Sequence, residues 1–167
     1  GAAAARTEAR LVCESLESDA AMADGGLPFH ASYGNVIAEA FGLTALEKAM
    51  SALRLQQTPQ GNHADFAAAH LAVAADIELS ARKLIHESGL GIVVTAMAGL
   101  PSGRWYLTAD PEQAQTIGVL KLRGSNASVG VEMHARNDFD FDGAAVRLRA
   151  DLGAVLVSRV GIIRGGA

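Results

Sequence analysis

A single cysteine, Cys13, stands in a chain of 167 residues, so no intramolecular disulfide can form and a cysteine-based zinc cluster is excluded. Aromatic side chains are scarce as well, at 5% of the residues. Half the residues are hydrophobic, but much of that is alanine, which predicts a light core that is helix-rich in its first half. Nowhere do 18 apolar residues run together, and the opening GAAAARTEARL lacks the basic and apolar regions of a signal peptide. The expectation is a chain with no membrane partner. Positive charge is not in excess either. Fourteen Lys and Arg against eighteen Asp and Glu give a formal net charge of −4, which argues against a nucleic-acid surface built on net charge, though not against a local basic patch.

What is present divides into a first half that mixes helices with short strands and a second half dominated by sheet. Residues 2 to 18 combine Ala, Arg and Glu around an apolar stripe that includes Val12 and Leu16, predicting one amphipathic helix of about four turns. Its first residues have no capping side chain before them, which suggests a helix cut from something longer. Leu27 to Asn35, LPFHASYGN, reads as a loop. Thr44-Ala45-Leu46-Glu47 has the form of a capping box and opens a helix that Thr58-Pro59-Gln60-Gly61 stops. Phe66 to Ala75 is a short apolar run that fits either a buried strand or a helix start. Asp76 is placed as the N-cap of a helix over 77–86, with Ser88-Gly89 as its C-cap. Ile92 to Thr95 and Trp105 to Ala109 are strands around a turn at Gly99 to Gly103.

From Arg104 to Ile163 the period becomes two. Val131, Met133 and Ala135 alternate with Glu132, His134 and Arg136, and Val146, Leu148, Ala150 and Leu152 alternate with Arg147, Arg149 and Asp151. Such alternation sends one set of side chains to a packed face and the other to solvent or a partner. The fold class expected is α+β.

Asp138, Asp140 and Asp142, followed by Gly143, match the opening of a calcium loop, but the twelfth position is Arg149 where a bidentate glutamate is needed, and no helical pattern flanks the run. A strand entering a tight turn at Asp142-Gly143 explains it better. His63, Asp65 and His70 are the nearest approach to a metal set, without the i,i+4 spacing of a helical zinc site. These two groups carry the alternative reading, a small metal-dependent or hydrolytic enzyme. No serine lies in a nucleophile elbow, Cys13 reads as a buried structural thiol, and Gly89-Leu90-Gly91 precedes a strand, the wrong order for a phosphate cradle. No enzyme activity and no cofactor are expected. Arg147, Arg149 and Asp151 suit ion pairs with a neighbouring chain and are the candidate subunit-contact residues.

Six segments in order, GAAAARTEARLV with AMADG, PFHASYGN, LEKAMSALRLQ, GRWYLTADP and DFDFDGAAVRLRADLGA, resemble the major capsid proteins of tailed bacteriophages, in particular the group encoded as a prohead protease fused to the capsid protein. The resemblance implies the Hong Kong 97-type fold. Residues 1–26 would be the spine helix of a peripheral domain, 27–128 a mixed axial domain, and 129–167 antiparallel peripheral-domain strands. It also implies self-assembly into pentamers and hexamers of a shell, with portal and prohead protease as partners and packaged DNA enclosed without sequence-specific binding. The place of such a protein is the virion capsid, and the host bacterial cytoplasm during assembly. The N-terminal arm and extended loop of that family have no counterpart here, so a fragment is expected. The chain departs from the family pattern at Tyr33, where relatives carry His, at Leu152, where they carry an aromatic, at Ser158-Arg159-Val160-Gly161, where they read Asp-aromatic-Arg-Gly, and at Ala68-Ala69-His70, where they read Pro-Arg-Tyr.

Overall fold

The computed structural model describes residues 2–58, 61–121, 130–138, 141–149 and 152–166. It contains three α-helices, α1 (Ala2–Leu16), α2 (Leu43–Leu55) and α3 (Glu78–Ser88). The strands are β1 (Val36–Ile37), β2 (Ala68–Ala74), β3 (Val93–Met97), β4 (Trp105–Ala109), β5 (Ile117–Lys121), β6 (Gly130–Asp138), β7 (Phe141–Arg149), β8 (Leu152–Leu156) and β9 (Ile162–Gly165). The class is α+β, as its sequence pattern predicts.

Five strands form a mixed sheet in the order β1-β9-β4-β2-β3. β4 is antiparallel to both β2 and β9, while β3 runs parallel to β2 and β1 parallel to β9. Its side chains alternate between two cores. Leu71, Val73, Trp105, Leu107 and Ile163 join Ala45, Leu46, Ala49 and Leu53 of α2 and Ala81 and Ile85 of α3. Ala74, Tyr106 and Ile162 face the other way and join Cys13 and Leu16 of α1 with Phe29 and Leu100. The domain is therefore three layers, with α1 opposite the α2–α3 pair. Burial on both faces is why the run from Phe66 to Ala75 shows no alternation. It is a strand, and the helical alternative for it does not occur.

β5 and β8 form a separate antiparallel ribbon beside α1. β6 and β7 pair with each other from Gly130↔Arg149 to Asp138↔Phe141. That register pairs Asp142 with Asn137 and Gly143 with Arg136, inside β7 and not at a turn. β9 lies between β1 and β4, so residues 162–165, expected with the C-terminal strands, hydrogen-bond into the same sheet as β1 to β4.

Two predicted caps are replaced. α2 begins at Leu43 with Gly42 as N-cap and no side-chain cap bond, so Thr44 is already helical and the capping box does not form. Phe41 meets the Trp105 ring edge-on at 5.6 Å, and anchoring the chain there draws it into the helix before Thr44 can cap. Asp76 does not cap α3 either, since Ile77 holds the N-cap position. Its carboxylate accepts from Ser102 Oγ at 2.6 Å and the Gly103 amide at 3.0 Å, tying down the β3–β4 turn. The Ser102 hydroxyl holds the Asp76 carboxyl below its ordinary value. Gly89, by contrast, ends α3 in the left-handed region as its sequence predicts, at φ 65°.

Candidate functional site

Polar groups converge at three junctions, and each joins one element to another. Under the end of α1, the buried Tyr106 hydroxyl donates to Glu17 Oε1 at 2.7 Å, with the Leu16 carbonyl at 3.1 Å as second acceptor. Arg104 Nε stands 3.3 Å from the same carboxylate oxygen without hydrogen-bond alignment, and Arg104 Nη1 donates to Gly166 O at 2.6 Å. Burial, followed by donation to Glu17, pushes the Tyr106 phenol well above its ordinary value. The phenol is a permanent donor at neutral pH, and it ties the α1 C-terminus to the sheet.

The second junction is an amide clamp. Gln56 leaves α2 with a buried side chain whose Oε1 accepts from the Gly161 amide at 2.6 Å and whose Nε2 donates to Ile162 O at 3.3 Å. α2 ends at Leu55, before the predicted stop at Thr58, because this amide is drawn inward to the start of β9. The third junction is centred on Arg159. Its guanidinium pairs with Asp24, donates to Leu27 O at 3.2 Å and lies 4.2 Å over the Tyr33 ring. Tyr33 and Arg159, at two of the places where the chain departs from the tailed-phage pattern, thus rest on each other. Gln56, Arg159 and Tyr33 border an open groove of about 590 Å³ with Ser32 and Ala52. These side chains hold segments together, and at the rim the exposed His30 Nδ1 lies 2.7 Å from Ser32 Oγ and accepts from the Ser32 amide, capping the short turn Ala31–Tyr33.

Of the enzyme alternative, His63, Asp65 and His70 are each turned to separate partners or to solvent. Asp65, at φ 48°, accepts from Arg54 Nη1 at 2.6 Å. His63 Nδ1 lies 3.2 Å from Leu55 O, and His70 is exposed on β2. Among the described residues no three of His, Cys, Asp and Glu could hold a metal ion, and no helix is long and apolar enough to cross a membrane. Of the calcium-loop candidates, Asp138 and Asp142 are placed by register, opposite Phe141 and Asn137, and Asp140 lies outside the described residues. Of the subunit-contact candidates, Arg147 and Arg149 are likewise placed by register, opposite Glu132 and Gly130, and Asp151 lies outside the described residues.

Cys13 is buried, and a side chain on Gly99 would stand 3.0 Å from its Sγ. Burial raises its thiol above the ordinary value, away from nucleophilic chemistry. Sequence reasoning missed Gln56 and Tyr106, because their partners lie about a hundred residues away. Asn35 was passed over inside its loop, where its buried side chain accepts from His30 N and donates to Pro28 O. For Gln56 the local sequence, Leu55-Gln56-Gln57-Thr58, gives no signal of the clamp.

Among the described residues these polar side chains link one element to another. The model of the phage capsid protein family matches residues 1–165, and the chain belongs to that family. Its role is structural, in the virion capsid. No curated protein matches the sequence.

Proposed function

We propose that this chain is a major capsid subunit of the Hong Kong 97 type, from the group in which capsid protein and prohead protease are encoded together. On this reading α1 is the spine helix of the peripheral domain (residues 1–26), residues 27–128 are mostly the axial domain, and the strands from 129 onward return to the peripheral domain. Because β9 lies inside the five-stranded sheet, residues 162–165 are counted with the axial unit. Copies associate into pentamers and hexamers in the host bacterial cytoplasm and close a shell around DNA held without sequence-specific contacts. The portal and the prohead protease are the further partners. Arg147, Arg149 and Asp151 contact a neighbouring copy.

The observation that carries this reading is the match of the capsid family model along residues 1–165. The three-layer fold with a helix on one face, a short two-stranded ribbon beside that helix and a longer ribbon formed by β6 and β7, supports it. Light scattering behind a sizing column tests it. For the full-length protein the expected species are rings of five or six copies or larger closed particles, and a full-length protein that stays monomeric at every concentration and salt level refutes self-assembly. Charge reversal Arg149→Glu is expected to reduce assembly, and unchanged assembly removes Arg149 from the contact.

A further inference from the structure

β3 is an edge of the five-stranded sheet, and Val93-Val94-Thr95-Ala96-Met97 carries neither charge nor proline. Proteins that keep a sheet edge in water usually protect it with Lys, Pro or a bulge, because its outward N–H and C=O groups are a template for another strand. Here the apolar surface continues around the edge. Val93 is 55% exposed, and with the exposed His70 and Thr95 it forms an open corner on the face that α1 covers further along. On the opposite face a groove of about 460 Å³ runs between α3 and β3, with Ile85, Ile92 and Val94 along it and Arg82 and His86 among its lining.

The other edge of the sheet is β1, two residues long and followed by the exposed Ala38, Glu39 and Ala40. We propose that the β3 edge is a self-association surface, covered by the Ala38–Ala40 segment of a second copy of this chain so that the sheet continues from copy to copy. This inference rests on the capsid-subunit reading and specifies its contact. On the capsid-subunit reading, copies of this chain repeat in a shell, so the occupant is a second copy. The two edges lie at opposite ends of one sheet, so the contact is heterologous and can close into a ring. Charge agrees: Glu39 flanks one edge, and Arg82 flanks the other. The ion pairs Glu39 and Arg82 make within the subunit, with Lys48 and Glu78, are solvent-exposed and weak enough to exchange.

Cysteine trapping in the full chain tests this. Cys13 is buried and stays in every variant. The pair Ala38→Cys with Val93→Cys, oxidised under assembly conditions, is expected to give a covalent ladder reaching five or six copies, since disulfides form only where Cα atoms approach to about 4.4–6.8 Å. Each single variant is expected to stay monomeric on a non-reducing gel. Dimers from Val93→Cys alone would mean the edge meets itself, which overturns the head-to-tail contact. Normal assembly of the double variant without a ladder would overturn the edge assignment and leave the capsid reading standing. Failure of the unmodified chain to associate would overturn both. As a second arm, Val93→Lys with Thr95→Lys changes only exposed positions. It is expected to lower the yield of assembled species at least tenfold with an unchanged melting temperature, and wild-type yield would sink the proposal.

Discussion

Gly165→Ala perturbs the tightest backbone approach in the sheet. Gly165 of β9 is the cross-strand partner of Trp105, and a Cβ added there would stand 1.9 Å from Trp105 Cε2 and 2.1 Å from Cζ2, against ordinary contacts of 3.4–4 Å. Neither side can yield cheaply. β9 is held between β1 and β4, and the Trp105 ring has no exposed surface and is braced by Phe41. Overpacking of this kind costs about 1–3 kcal/mol and occasionally more, and a clash this deep belongs at the upper end. The backbone conformation at Gly165 is one an L-residue adopts, so alanine recovers about 0.4–1 kcal/mol by stiffening the unfolded chain. The net loss is about 2–3 kcal/mol, which for a chain of this size lowers the melting temperature by about 5–10 °C. Because Trp105 is the single tryptophan, its emission follows the perturbed site directly during thermal unfolding. Trp105→Phe in the Gly165→Ala background should cost less than the sum of the two single changes, with far-UV circular dichroism as the readout. A Gly165→Ala protein melting within 1 °C of wild type would refute the packing argument.

Gln56→Ala leaves the buried Gly161 amide and Ile162 carbonyl without their partners, and about 1–3 kcal/mol is expected to be lost in denaturant titration. Tyr106→Phe removes the donor to Glu17 and Leu16 and should cost about 1–2 kcal/mol, with faster hydrogen exchange at the end of α1. The same phenol predicts a pH effect. Its folded pKa is raised above the ordinary 10.0, so the unfolded chain loses that proton first and stability falls as pH climbs above about 10, a trend that Tyr106→Phe should abolish. Arg159→Ala removes the clasp on Asp24, Leu27 and Tyr33. It should speed limited proteolysis within residues 19–35 while leaving hydrogen exchange in β4 unchanged. Cys13 should resist thiol reagents in the folded protein and react within seconds in denaturant, and equal rates in both states would contradict its burial.

The layered fold was legible where local signals act alone. Trp105 to Ala109 alternates between two cores, Gly89 has the freedom a left-handed cap needs, and Cys13 sits among apolar neighbours of one helix turn. Capping failed at Thr44 and Asp76 because a tertiary contact outbid a local one: Phe41 on Trp105 in the first case, the Ser102 hydroxyl and Gly103 amide in the second. The strand pairing β1-β9-β4 joins positions far apart in the chain, and no period in Val36–Ile37 or Ile162–Gly165 announces it. The same holds for the Gln56 clamp. The candidate metal residues His63, Asp65 and His70 looked close only along the chain. Asp65 turned toward Arg54, while His70 lies on the sheet face with Val93, where its neighbours are exposed and β-branched. The exposed edge of β3 was legible as a strand, but its place at the end of the sheet belongs to the strand order and could not be read from its five residues.

The most direct test of the central claim is electron cryomicroscopy of particles assembled by the full-length reading frame in a bacterial host. The account predicts a closed shell in which copies of this chain surround five- and six-fold positions, with α1 and the five-stranded sheet recognisable in each. Soluble monomers as the sole product, with no shell and no ring under any expression condition, would contradict it.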